Sequence, residues 1–343
     1  MLQSEMYRLL EKKCSSAECI LCKIVDGAHA GSAVLIADGN MLWATDSNSP
    51  LTEKTAFLSS VPSTSLLDLD GFPVFVERVG TKPRLIICGG GHVASALVSA
   101  VKPLGFELWL LEDREEFAET ARKNGVAHVL CGPFDDSLKQ IPVSSDNYFV
   151  VMTRGHQYDE TCLKTILSMP AYAYAGLMAS KARGQAMLNT LSGFEIAKDA
   201  VDMVHTPIGL KIGAQTPQEI AISIAAELIS EKARLGKSKW MPDDLFRQLT
   251  ISDSEKILCT IIAKRGSAPR SAGTKMVVPS SGPILGTVGG GKTEADIIAA
   301  ARDMLADASV HTRRITAVMN AEDCIDQGLG CGGLIDVFLE KLN

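Results

Sequence analysis

An α/β fold is predicted, with a central parallel-sheet domain flanked by two related small α+β units. Three observations predict it. Apolar strand-like runs alternate with helical segments between residues 84 and 175. A glycine turn joins the first of those strands to a helix. The apolar strands near the N-terminus recur, in the same order, near the C-terminus. Strands that alternate with helices pair in parallel through right-handed crossovers.

The first strand is Arg84-Leu-Ile-Ile-Cys88, followed by Gly89-x-Gly91-x-x-Ala94 and a helix to about Val101. This spacing is the Rossmann-like dinucleotide fingerprint with alanine in third place. Its glycines let the backbone approach a pyrophosphate, and the helix start attracts the charge. Gly89, Gly90, Gly91 and His92 are therefore candidate cofactor contacts. A second strand, Leu108–Leu111, ends in Glu112-Asp113-Arg114, where such units place an acid for a ribose hydroxyl. Asp113 is the candidate acid. Arg114 could take a 2′-phosphate instead, leaving NAD and NADP both open. An empty tight turn is the bland alternative.

A helix over 115–124, a strand over 127–131 and a strand over 147–152 follow. The last ends in Thr153-Arg-Gly-His156, where a ligand of a parallel sheet would lie. A helix from Asp159 to about Ser168 and a strand over 171–175 come next. Thr216-Pro-Gln-Glu219 is a capping box that opens a long helix. Ile220, Ile224 and Leu228, with Ile222, Ala225 and Ile229, are expected to face the core. Gly236 ends that helix before a linker.

The repeat matches Ile20–Val25 with Ile257–Ile262, and Gly31–Ile36 with Gly273–Val278. It also matches Thr52-Glu53 with Thr293-Glu294, and Val74–Glu77 with Val337–Glu340. The expected domains are 1–80, a degenerate copy; 81–236, the Rossmann-like domain; and 237–343, the intact copy.

The intact copy concentrates the unusual residues: Gly266-Ser267-Ala-Pro-Arg270, Gly286–Glu294 and Gly328–Gly333. Glycine turns supply close approach and N–H groups for anions. Arg270 suits a phosphate, and Cys331 sits between glycines as an accessible thiol must. A solvated turn charge and a tight strand-edge turn are the bland readings. Gly286-x4-Gly291-Lys-Thr293 also matches the P-loop pattern, but the run before it is too broken for the buried strand a P-loop follows.

The 343 residues are 46% hydrophobic, with formal net charge −6. That composition argues against a nucleic-acid or membrane surface. The N-terminus shows no signal-peptide pattern and no run is long enough for a membrane span, so a cytoplasmic protein is expected. Nine cysteines are present. Most lie in apolar strands as buried hydrophobes, and no metal site is expected, since Cys19-x-x-Cys22 lacks a second pair of ligands.

Residues 89–94, Glu112–Arg114, 151–156, Ala175–Lys181, Thr206–Gly213 and Thr216–Ala221 resemble the Rossmann domain of the XdhC/CoxI family. Gly266–Arg270, Gly286–Gly291, Glu294 and Cys331-Gly-Gly333 resemble that family's other module. The resemblance implies an accessory factor for molybdenum hydroxylases such as xanthine dehydrogenase. Such a factor binds molybdenum cofactor (molybdopterin), assists its sulfuration and delivers it, more a chaperone than a turnover enzyme. On that basis Cys331 is the thiol near the cofactor. Ser267, Arg270, Gly289, Gly290, Gly291, Glu294 and Gly332 are its contacts. The implied partners are an apo molybdenum hydroxylase, a cysteine desulfurase and a second copy of the chain. Here the intact module follows the Rossmann domain instead of preceding it, and Ala179 stands where glycine is usual. An NAD(P)-dependent oxidoreductase is the alternative.

Overall fold

The computed structural model describes residues 3–14, 17–235, 240–251, 254–266, 270–319 and 333–342. The chain forms two compact units. One is Lys82–Lys237; the other joins Met1–Thr81 to Ser238–Asn343. The two segments read as separate flanking domains thus share one unit.

In the Lys82–Lys237 unit, β6 (Arg84–Cys88), β7 (Glu107–Glu112), β8 (His128–Cys131), β9 (Asn147–Val151) and β10 (Tyr174–Leu177) form a sheet in the order β10-β9-β6-β7-β8. Every neighbouring pair is parallel. This is the Rossmann-like sheet expected. Helices α3 (His92–Val101) and α9 (Pro217–Leu235) bury one face, through Leu97, Val98, Ile224 and Leu228. Helices α5 (Phe134–Lys139), α6 (His156–Leu167), α7 (Lys181–Leu191) and α8 (Lys198–Asp202) bury the other. Residues 205–208 continue the sheet beyond β10: His205 N–H donates to Ala175 O at 2.9 Å, and Leu177 N–H to His205 O at 2.9 Å.

The capping box closes as expected, with Glu219 Oε2 accepting from Thr216 N at 3.0 Å and Glu219 N donating to Thr216 Oγ1 at 3.3 Å. Two expectations need correction. Ile222 and Ile229 are about half exposed, at 55% and 49%, because α9 covers the sheet with its Ile224–Leu228 side only. The last strand begins at Tyr174 and runs through Gly176, three residues beyond the expected start. A Cβ on Gly176 would lie 2.5 Å from Ile208 and Tyr174 side-chain atoms, so glycine is what lets this strand pack there.

Gly89 has φ +108°, and a Cβ there would lie 2.5 Å from the Met152 carbonyl oxygen. Gly89→Ala is expected to destabilise this unit by about 3 kcal/mol, since neither the backbone angle nor the neighbouring strand end can yield cheaply. Denaturation of the full chain checks this.

In the other unit, β1 (Cys19–Ile24), β2 (Ala33–Ala37), β3 (Asn40–Ala44), β4 (Ser65–Leu69) and β5 (Phe72–Val79) form an antiparallel sheet in the order β3-β2-β1-β5-β4. The C-terminal copy has β11 (Lys256–Arg265), β12 (Lys275–Pro279), β13 (Leu285–Gly286), β14 (Thr312–Met319) and β15 (Gly333–Leu342), in the order β13-β12-β11-β15-β14. The repeat read from sequence is therefore a repeat of topology.

Each sheet has its own helix on one face. That helix is α2 (Thr55–Ser60) for the first copy and α11 (Gly291–Ala306) for the second. The opposite faces share one core, where Leu21, Leu35 and Val79 meet Leu258, Val277 and Leu342. Helices α1 (Gln3–Cys14) and α10 (Asp243–Thr250) contribute Tyr7, Leu10, Leu245 and Phe246 to it. Burial on both faces explains why β1 reads as an unbroken apolar run. Cys14, Cys19, Cys22, Cys88, Cys162 and Cys259 are buried free thiols, as expected, whereas Cys131 is exposed. Among the described residues no group of His, Cys, Asp and Glu could hold a metal ion, and no helix is long and apolar enough to cross a membrane.

Candidate functional site

In the Rossmann-like unit, polar side chains gather beyond the C-terminal strand ends. Gly91 precedes α3 in an extended conformation, and His92 is its exposed first residue. Glu112, at the end of β7, is the acid that reaches the glycine turn. Its Oε2 accepts from Gly90 N at 2.7 Å. Its carboxylate also takes the Arg114 guanidinium at two points, 2.9 and 3.1 Å. Burial alone would raise the Glu112 carboxyl. Hydrogen bonds from Arg114, Asp113 and Gly90 outweigh it and hold it down to about 2. The Arg114 guanidinium also lies 3.8 Å from the Phe117 ring centre, so its charge is already engaged.

Asp113 points elsewhere. Its Oδ2 accepts from Arg154 Nη2 at 2.6 Å, while its Oδ1 is buried without a hydrogen-bond partner. It lines a cavity of about 360 Å³ with Gly132, Pro133, Phe134, Asp135, Tyr158 and Thr161. Beside it, Arg183 joins His156 Nδ1 at 3.1 Å and Asp159 Oδ2 at 2.8 Å. Asp159 Oδ1 accepts from Thr153 Oγ1 at 2.6 Å. Burial raises the Asp159 carboxyl, against the pull of Thr153 and Arg183. Sequence reasoning missed the pairing of Arg183 with Asp159. Twenty-four positions separate them, and only the meeting of two helix starts brings them together.

In the intact C-terminal copy, strand register gathers the glycine-rich stretches. Thr260 pairs with Lys275, Met276 with Gly286, Arg265 with Leu334 and Met319 with Gly333. The end of β11, the start of β12, the end of β13 and the start of β15 therefore all lie at one end of the sheet. Arg270 is exposed there, in the connection between β11 and β12. Ser267, Cys331 and Gly332 lie outside the described residues.

The 287–290 loop folds around an internal anion. Glu294 Oε2 accepts from Val288 N at 2.9 Å, Gly289 N at 3.3 Å and Gly290 N at 3.1 Å, and from the Thr287 hydroxyl. Burial acts to raise this carboxyl, but Thr287 and the three N–H groups lower it. The glycine N–H groups expected at a phosphate are thus occupied by the residue expected beside them. Gly291 and Lys292 open α11, which begins four residues before the expected Ala295. The preceding strand β13 has only two residues, and this is not P-loop architecture. Glu294→Ala is expected to cost about 1–2 kcal/mol, the scale of a lost multi-donor cap. Thermal denaturation at pH 7 measures it.

Comparison with known proteins agrees with both halves of this description. Residues 85–228 match the model of the XdhC Rossmann domain, and residues 252–316 match the model of the XdhC and CoxI family. Together they span more than half of the chain. A protein from Escherichia coli strain K12, described as uncharacterized protein YqeB, is 31% identical over 46% of this chain and 29% of its own length. A protein from Bacillus subtilis strain 168, described as a probable xanthine dehydrogenase component, is 27% identical over 62% of this chain and 65% of its own length. The chain thus spans less than two thirds of either relative. A crystal structure described as a xanthine dehydrogenase from Bacillus halodurans shares the fold, with TM-score 0.54 and 23% identity. The match covers 71% of this chain and 67% of that one. With a Rossmann domain matching one model and a glycine-rich module matching the other, the chain belongs to the XdhC and CoxI family.

Proposed function

We propose that this chain is an accessory factor in molybdenum hydroxylase maturation, which binds molybdenum cofactor, assists its sulfuration and delivers it to the apoenzyme. One observation carries the reading. The intact copy brings Arg270, the 287–291 loop and the strand ends flanking 320–332 to one end of its sheet, whereas the first copy lacks these motifs. The cofactor supplies the redox-active metal of the client enzyme.

The residues fit it in part. Arg270 offers an exposed guanidinium for the pterin phosphate. The N–H groups of Gly289 and Gly290 bond to Glu294, so in this conformation they are not phosphate donors. Cys331 is proposed as the thiol beside the metal or the incoming sulfur, with Ser267 and Gly332 as its neighbours in the site. An apo-hydroxylase, a cysteine desulfurase and a second copy of the chain are the proposed partners, in the cytoplasm.

The test is mass spectrometry of ligands released from full-length protein expressed with molybdate. Molybdopterin is expected, with Arg270→Ala and Cys331→Ser each lowering its occupancy. Absence of pterin, with NADH oxidation dependent on a small substrate, would replace this reading by an NAD(P)-dependent oxidoreductase.

A nucleotide in the Rossmann cleft is a second reading, favoured by the cavity beside Asp113. A carboxylate facing that cavity suits free ribose hydroxyls, and the engaged Arg114 does not offer itself to a 2′-phosphate. NADH is therefore expected to bind at least about tenfold more tightly than NADPH. Fluorescence titration of the two would show it, and equal affinities would count against the assignment.

A further inference from the structure

The two copies in the Met1–Thr81 and Ser238–Asn343 unit meet through matched residues. Val25 and Phe75 of the first copy share a small buried core with Ile262 and Phe338 of the second. These are the same positions of the repeat, so the copies pack about an internal two-fold relation. The glycines obey it too. A Cβ on Gly31 would lie 3.1 Å from Thr312 Cγ2. One on the matching Gly273 would lie 3.8 Å from Thr64 Cγ2. Each copy also offers the glutamate of its Val-Phe-x-Glu strand to a lysine of the other: Glu340 to Lys23, and Glu77 to Lys275.

The glutamates are repeated but the lysines are not. Ala33 stands where the second copy has Lys275, and Thr260 where the first has Lys23. Only the intact copy therefore has a buried lysine at the root of its glycine-rich connection. Lys275 Nζ bonds to Glu77 and also donates to Gly273 O at 3.2 Å. Gly273 N donates to Ile261 O at 2.8 Å, and Thr274 Oγ1 to Ser271 O at 2.8 Å. Glu77 Oε1 itself lies 3.4 Å from where a Gly273 Cβ would be.

We infer that the N-terminal copy, having lost its own site motifs, serves as a built-in partner for the intact copy, and that its Glu77 is a positioning residue for the connection that presents Arg270. This rests on the reading of Arg270 as a site residue. Burial lowers the affinity of Lys275 for its proton, opposed by Glu77. Loss of Glu77 therefore removes what keeps that amine charged and tethered.

The test is amide exchange over residues 271–276 of the full chain. The paired change Glu77→Leu with Lys275→Met replaces the ion pair by apolar groups and keeps the core filled. It is expected to retain the thermal midpoint while exchange at Gly273 and Thr274 rises about tenfold, reporting a more populated open form. Glu77→Gln should raise it in the same direction. The matched control, Lys23→Met with Glu340→Leu, removes the other pair and should leave this exchange unchanged. Unchanged exchange in the first pair, or an equal rise in the control, would overturn the inference. Neither depends on pterin binding. If molybdopterin never binds but exchange responds as expected, the cofactor reading fails and the positioning role stands.

Discussion

Glu112→Ala is expected to destabilise the Rossmann-like unit by on the order of 3 kcal/mol at pH 7. The side chain is 1% exposed and ties three things together: the glycine turn at Gly90, the backbone after β7, and Arg114. Its removal leaves the Gly90 N–H and a part-buried guanidinium without their acceptor. The effect carries a pH signature. The folded carboxyl sits at about 2, below its ordinary 4.5. The contribution is therefore complete above about pH 4.5 and is lost as pH falls toward 2. The stability difference between wild type and variant should shrink over that window. Amide exchange of β6 and β7 resolves this unit from the other. A difference that stayed constant between about pH 5 and 2.5 would show that Glu112 acts by packing and not by charge.

Glu340→Ala is the second large effect, expected to cost about 3–5 kcal/mol in the unit that holds both copies. The Lys23 and Glu340 side chains are 7% and 1% exposed. Lys23 also donates to Tyr7 Oη at 2.9 Å, and burial followed by Glu340 raises the Tyr7 hydroxyl well above its usual range. Truncating the glutamate strands a charged amine in a core with no water to solvate it. Combining Glu340→Leu with Lys23→Met should recover most of the loss, because a filled apolar pair replaces a desolvated ionic one. Urea denaturation of the three proteins decides it. A single variant costing under about 1 kcal/mol would mean that water reaches the pair.

Much of the fold was legible because it depends on local pattern. The run Arg84–Cys88, the turn Gly89–Gly91 and the apolar alternation through residue 177 state a parallel sheet without reference to anything distant. The repeat was legible for the same reason, since its apolar strands recur in order. Boundaries were less so. The strand at Tyr174–Leu177 begins where pairing with β9 begins, not where its apolar residues do. The outward side of α9 is as apolar as parts of its buried side, so composition could not orient Ile222.

The candidate site divides in the same way. The residue types were readable: glycines, Arg270, Glu294, and the acid after β7. Their partners were not. Glu294 looked like a ligand contact because an acid after glycines suits a polar site, yet its carboxylate fills the loop's own ring of N–H groups. The acid at the glycine turn is Glu112, one residue before the expected Asp113, because successive strand-end side chains point to opposite sides.

By itself, the sequence determined the element order, the Rossmann-like sheet, the repeat and the resemblance to a family. Each rests on backbone propensity and apolar periodicity, or on short motifs, which act over a few residues. Only the tertiary structure decided which charges meet. The lysine in Ile20–Val25 and the glutamates closing Val74–Glu77 and Val337–Glu340 stand out as charges in apolar strands. What pairs Lys23 with Glu340 and Lys275 with Glu77, across 317 and 198 positions, is the burial of two sheets against each other. A buried charge must find its opposite, and only packing brings that partner within reach.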